Sequence, residues 1–268
     1  GSELIAVAMT QNLMHLRLAM LLVAGSLIAT ALNAQDSKQL TVGGPPTVDQ
    51  LVAKNIEAKG GVTALRSLQS VRLTGKMLVN EGKMEFTYAQ TKKRPGEIRT
   101  DATLQGMTMI QAYDGTQGWK VFPFRGRKDP EKMSVDDTKE LMEDADIDGL
   151  LVDWKAKGSA IEYLGTEDVD GTQAHKLKVT RKNGDVNYVY LDPDHFLEIR
   201  TLNHRIERGE QVEVETDLGD YERIGGGFIP FSIEAGPKGS TDKQKIILEK
   251  GEANVAVDDS IFHFPTSK

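Results

Sequence analysis

The 268-residue chain contains no cysteine. That excludes disulfides, a cysteine nucleophile and a lipid anchor carried on a cysteine of this chain. Basic excess is also missing. Lys and Arg number 33 against 40 Asp and Glu, for a net charge of −7. A nucleic-acid binder needs a basic face, and tight adhesion to an anionic membrane needs one too. Aromatic residues are few, at 6%. Catalytic signatures are equally scarce. The histidines are His15, His175, His195, His204 and His263. None forms an i, i+4 pair, and neither H-E-x-x-H nor G-x-S-x-G occurs. No glycine-rich phosphate loop precedes a helix. The chain is therefore expected not to be an enzyme and to need no cofactor, with a hydrolase built on scattered carboxylates as the remaining catalytic option.

Long apolar runs are limited to one. Residues 13–34 read LMHLRLAMLLVAGSLIATALNA, with Arg17 before the apolar run Leu18 to Ile28. That run is short for a membrane span, and the small residues after it fit signal-peptide cleavage after Ala31 or Ala34. Met9 is a candidate native start, on which reading residues 1–8 are expected to be an expression scar. Residues 1–34 are thus expected to be scar and signal peptide, 35–46 a polar Gly/Pro linker, and 47–268 a single domain. A periplasmic location follows from the signal peptide. Without disulfides, the fold must rest on core burial, which about 230 residues can supply.

A helix is predicted from Thr47, which can cap it, with Val48, Leu51, Val52 and Ile56 at helical spacing and Gly60-Gly61 as the stop. A short second helix is predicted over Thr63 to Leu68. From Gln69 the period becomes two. Alternation through 70–91 turns at Glu81-Gly82, and a second hairpin over 95–115 turns near Gln105-Gly106. The stretch AYDGTQGWKVFPF, 112–124, adds a strand rich in rings. Residues 129–158 break the pattern and read as helix, loop, helix. Ser134 with Asp137 marks the first start, Leu141, Met142 and Ala145 give its stripe, and Leu150, Leu151 and Trp154 form the second apolar face. Strands are then predicted at 159–167, 173–181, 186–192, 196–205, 210–222, 228–235 and 243–250. Their turns fall at Asp170-Gly171, Asn183-Gly184, Asp192 to Asp194, Arg208-Gly209, Gly225 to Gly227 and Gly236-Pro237. The fold class is mainly β with α: a highly curved antiparallel sheet of roughly ten strands, an incomplete, half-open barrel with helices covering its concave face.

Two constellations stand out. The apolar residues Met77, Met84, Phe86, Ile98, Met107, Met109, Tyr113, Trp119 and Phe122 alternate through consecutive strands. For any one of them an ordinary core is the better reading; as a set, with adaptable methionines among them, they also suit a groove for variable apolar ligands. DADIDG, 144–149, has the first half of a calcium loop in Asp144, Asp146 and Asp148. The twelfth position should be a bidentate Glu and is Lys155, so no metal site is expected. The alternative is a solvated helix–helix turn whose acids cap the second helix.

Three segments carry a family resemblance: TKKRPGEIR at 91–99, AYDGTQGWKVFPF, and DDSIFHFP at 258–265. In this order they resemble the outer-membrane lipoprotein carrier family, LolA/LolB-like, which also embraces periplasmic lipid-binding and sensor domains. The match spans most of 47–265. It implies an apolar cavity that binds acyl chains of lipoproteins or lipids and ferries them towards the outer membrane, as a lipid-binding chaperone in lipoprotein transport. It further implies that Arg94, in Lys-Arg-Pro, latches a helical lid through its backbone carbonyls, and that Ile98 lines the cavity entrance. The lid would be Leu141, Met142, Leu150, Leu151 and Trp154, and the terminal DDSIFHFP a strand. The implied partners are an acylated lipoprotein or lipid, an inner-membrane donor complex and an outer-membrane acceptor. The alternative within this resemblance is an envelope sensor or partner-binding module.

Overall fold

The computed structural model describes residues 44–207 and 210–266. The expected signal peptide, most of the 35–46 linker and the Arg208-Gly209 turn lie outside the described residues.

Helix α1 (Val48–Ala58) begins with a reciprocal cap between Thr47 and Gln50, each side chain bonding the other's backbone N–H. Helix α2 (Val62–Ser67) follows directly. The strands are β1 (Ser70–Val79), β2 (Met84–Lys93), β3 (Glu97–Leu104), β4 (Met107–Tyr113), β5 (Gly118–Val121), the two-residue β6 (Glu131–Lys132), β7 (Ala160–Val169), β8 (Thr172–Thr180), β9 (Val186–Leu191), β10 (Glu198–Glu207), β11 (Glu210–Ile224), β12 (Gly227–Pro237) and β13 (Gln244–Ala253). Helix α3 (Val135–Asp144) lies between β6 and β7, and Ser134 caps it by accepting from the Asp137 N–H.

All thirteen strands form one antiparallel sheet in the order β6-β5-β4-β3-β2-β1-β13-β12-β11-β10-β9-β8-β7. The first and last strands pair in the middle, and the chain meanders outward from that seam in both directions. The edges β6 and β7 do not pair, so the sheet is open. It is also curved. Residues of β2 and β9 line one cavity, although the strand order separates them by six steps, roughly 29 Å in a flat sheet at about 4.8 Å per step.

Each flank of the concave face has its own cover. On the β7–β9 side, Leu51 and Val52 of α1 pack with Leu177, Val179, Val189 and Leu191. On the β3–β4 side, Leu141 of α3 packs with Ile98, Tyr113, Met133 and Ala145. The segment joining the two edges crosses the gap. Glu143 of α3 pairs at 3.4 Å with Arg181, which follows β8.

Three expectations need correction. The second helix near 150–158 is a series of turns. Gly149 and Asp153 adopt φ of 77° and 53°, which an α-helix cannot contain. The apolar pattern that suggested a helix is still buried there, with Leu151 and Val152 each only 1% exposed. Gly236-Pro237 is not a turn but the end of β12, opposite Glu215 and Val214; proline is tolerated at a strand terminus. The turn comes later, where the Ser240 N–H bonds the Pro237 carbonyl. Finally, DDSIFHFP is no strand. It forms a short 3-10 turn at Asp259–Ile261 and then a strap across the β3–β5 side.

Candidate functional site

A cavity of about 690 Å3 opens inside the curve, between the sheet and the α3–β7 segment. Its apolar wall includes Leu65 and Leu68 from α2 and the residue after it, Val71 and Leu73 from β1, and Ile229 and Ile233 from β12. Its polar wall includes Gln90 and Lys92 of β2, Asn187 and Asn203 of β9 and β10, and the acids that follow α3. The lining thus carries both aliphatic and polar groups, as a site for an amphiphile requires.

Arg94 lies just behind this wall and ties three pieces together. Its Nε donates to the Leu68 carbonyl at 2.8 Å and its Nη2 to the Leu65 carbonyl at 3.1 Å. The Leu65 carbonyl also accepts from the Leu68 N–H, so the guanidinium adds a second donor there, supplies one to the Leu68 carbonyl, and complements the helix dipole. The same guanidinium forks onto Asp148, Nη1 to Oδ2 at 2.7 Å and Nη2 to Oδ1 at 2.5 Å. These bonds hold the Asp148 carboxyl below its ordinary range, against the opposing effect of burial. Asp148 sits in the acidic loop between Ile147 and Gly149, both of which line the cavity.

The rest of that loop is pinned in the same way. Lys157 bonds Asp146 at 2.5 Å and the Gly149 carbonyl at 2.7 Å, and the Asp148 N–H bonds Asp146 Oδ1. The acids therefore hold cations of this chain rather than a helix N-terminus, and the capping expectation is corrected. Among the described residues, no group of three or more His, Asp or Glu is placed to hold a metal ion.

A second ion pair faces the cavity. Lys59 caps α1, and its Nζ meets Glu198 Oε1 at 3.1 Å with both side chains nearly covered. Burial alone would raise the Glu198 carboxyl, but Lys59 beside it brings it below its usual range. The Tyr221 hydroxyl donates to the Glu198 carbonyl at 2.8 Å. Burial, reinforced by the Glu198 charge, pushes that phenol well up.

The nine apolar residues singled out in the sequence are placed beside this cavity rather than on its lining. Met77 and Phe86 are buried in the core with Phe124, whose ring meets Phe86 edge-on, and Met84, Met107, Met109 and Phe122 pack around them. Ile98 is fully buried under α3 with Tyr113. Trp119 is buried under the C-terminal strap: its Nε1 donates to the Phe262 carbonyl at 2.7 Å, and its ring meets Phe264 edge-on. Of the five lid residues, Leu150 lines the cavity. Leu141 packs under α3, Leu151 and Trp154 belong to the β8–β9 core, and Met142 is exposed. Sequence reasoning missed Lys59, Lys92, Glu198 and Tyr221. Lys92 lies within the quoted TKKRPGEIR, while Glu198 looks like any outward residue of an alternating strand.

No family model and no curated protein sequence matches this chain. Solved structures do. A LolA superfamily protein from Nitrosomonas europaea superposes with a TM-score of 0.54 at 12% identity, covering 82% of this chain and 98% of that one. A DUF1329 family protein from Desulfovibrio piger gives 0.54 at 12%, covering 81% and 97%. A domain assigned to outer membrane lipoprotein sorting from Vibrio parahaemolyticus gives 0.54 at 11%, covering 79% and 94%. The chain has the LolA-like fold.

That fold is the one the three quoted segments implied. Its open curved sheet and mouth-spanning segment account for the cavity. The Lys-Arg-Pro arginine reaches the backbone carbonyls of α2, and in this chain it reaches a carboxylate as well.

Proposed function

We propose that this chain is a non-catalytic periplasmic carrier that shelters the acyl chains of a lipid or lipoprotein and delivers them towards the outer membrane. The observation that carries this reading is the 690 Å3 cavity, lined in part by aliphatic residues and roofed by a segment pinned through Arg94. Its size falls within the range of small-molecule sites, about 300–1,000 Å3. Each methylene moved from water into such a site gains about 0.8 kcal/mol, so an acyl chain crosses an aqueous space far more readily when sheltered. The LolA-like fold and the lipoprotein-sorting domain that shares it support the same reading. No described helix is long and apolar enough to cross a membrane. The proposed partners are an acylated lipoprotein or lipid, a donor complex in the inner membrane and an acceptor in the outer membrane.

Solvent extraction and mass spectrometry of protein purified from its own envelope fraction test this directly. Co-purifying lipid, together with displacement of a fluorescent fatty probe by added lipid, is the expected result. An empty extract combined with no probe binding would remove the carrier function.

A further inference from the structure

Among the described residues, one half-buried charge on the cavity wall, Lys92, lacks a contact partner; Lys182, which also lines the cavity without an ion pair, is exposed. Alternating positions of β2 read Phe86, Tyr88, Gln90 and Lys92; the first two are buried and the last two line the cavity. Lys92 stands opposite Val71 on one neighbouring strand and Ile98 on the other, and both are buried. Its own side chain is half-buried. Among the described residues its Nζ has no hydrogen-bond partner, and its electrostatic neighbours are Asp144 and Asp146 at the end of α3. Burial pushes its ammonium below lysine's ordinary range, and those two acids only partly oppose the shift. The other charges nearby are engaged: Asp146 by Lys157, Asp148 by Arg94, and Glu143 by Arg181.

A partly desolvated ammonium without a contact partner is unfavourable, and a ligand that brings an anion to it recovers that cost. The opposite wall offers polar support. Asn187 is buried and donates to Asn203 Oδ1 at 2.6 Å, while Arg181 Nε donates to Asn187 Oδ1 at 2.9 Å. The aliphatic wall lies beside these groups in the same cavity.

We propose that this cavity selects anionic amphiphiles, with the acyl chain along the aliphatic wall and a carboxylate or phosphate head paired to Lys92. This rests on the carrier reading and narrows it to a ligand class. The head takes over from Asp144 and Asp146 as the counter-charge of Lys92.

The test uses the full chain, stripped of lipid, at neutral pH with a neutral fluorescent fatty probe in place. Three competitors of matched chain length are compared: a fatty acid, the corresponding fatty alcohol and a lysophosphatidic acid. At least one acid is expected to displace the probe about tenfold or more better than the alcohol, the usual effect of one charged hydrogen bond. The stronger acid identifies the head as carboxylate or phosphate. Lys92→Gln should erase the preference with the alcohol unaffected, and Lys92→Arg should keep it. Equal displacement by acids and alcohol in the wild-type chain overturns the anionic site and leaves the carrier standing. A preference that survives Lys92→Gln also overturns it. A bound probe that no competitor displaces overturns the anionic site; a probe that never binds, with an empty lipid extract, removes the carrier reading itself.

Discussion

Arg94 and Asp148, 54 residues apart in sequence, meet in a two-pronged ion pair at the cavity wall, which Asp148 lines. Through this pair the roof loop is fastened to the strand end that also holds the carbonyls of α2. One side chain thus controls both a helix end and the loop beside it.

Arg94→Leu should therefore cost stability and loosen the roof together. It leaves Asp148, whose side chain is 13% exposed, without its closest cation, takes the Arg94 donor from the Leu68 carbonyl, and leaves the Leu65 carbonyl with the Leu68 N–H alone. A loss of about 2–4 kcal/mol is expected in urea unfolding, with the slope unchanged. Exchange of a bound fatty probe should accelerate in the same variant. A variant with wild-type midpoint and exchange rate would show that the pair fastens nothing.

The same pair predicts an acid sensitivity. The Asp148 carboxyl is held below its ordinary value by the Arg94 hydrogen bonds. A depressed folded value means the stabilisation is complete above the unfolded carboxyl value of about 3.9 and is lost as pH falls through the lower folded one. Asp148→Asn removes this contribution. Its stability should lie below wild type at about pH 6, and the gap should begin to narrow only as pH falls below about 3.9. A gap that stays constant as pH falls further would rule out the carboxyl as its source.

The strands were readable because a half-buried antiparallel sheet repeats every two residues and its Asp-Gly and Asn-Gly turns are stereochemically distinctive. Their bounds from β7 to β13 lie close to the observed ones for that reason. Residues 150–158 imitate a helix because their apolar residues are buried: Leu151 and Val152 are covered, but Gly149 and Asp153 turn the chain left-handed on either side of them. The cavity was harder. Periodicity tells which face of a strand is inward, not whether the inward space is filled. Phe86 and Met77 point inward and meet Phe124, so that end is packed. Gln90 and Lys92 share the pattern, yet they stand where the curve is open. A polar residue at an inward position was the readable signal. The Lys59–Glu198 contact carried none, because 139 residues separate the partners.

The β1–β13 seam makes a steric prediction. A Cβ at Gly75 would sit 2.1 Å from the Ile247 carbonyl oxygen and 2.7 Å from the Leu248 Cα, both backbone atoms. The register shifts between Thr74 and Gly75, where the two strands close in. Gly75→Ala should destabilise by about 2–3 kcal/mol or more, since only backbone movement can relieve the clash. Gly219→Ala is the control: nothing lies within 4 Å of its Cβ position, and it should be neutral or slightly stabilising, by up to about 1 kcal/mol. Equal thermal unfolding of the two variants would contradict the close approach at the seam.

The Lys59–Glu198 pair tests how the end of α1 is joined to β10. Both side chains are largely covered, at 11% and 13% exposure. Removing one partner strands the other charge, so Lys59→Met and Glu198→Gln should each cost about 3 kcal/mol or more. Removing both leaves no unpaired charge. Lys59→Met combined with Glu198→Gln should recover a good part of the summed loss, and a double-mutant cycle reads that coupling directly. A weak surface pair would give almost additive losses of under about 1 kcal/mol each. That outcome would mean that solvent reaches both groups. The α1 end would then rest on the Phe228 N–H to the Lys59 carbonyl at 3.0 Å and on the Asn55 amide, which donates to the Phe196 carbonyl at 2.8 Å.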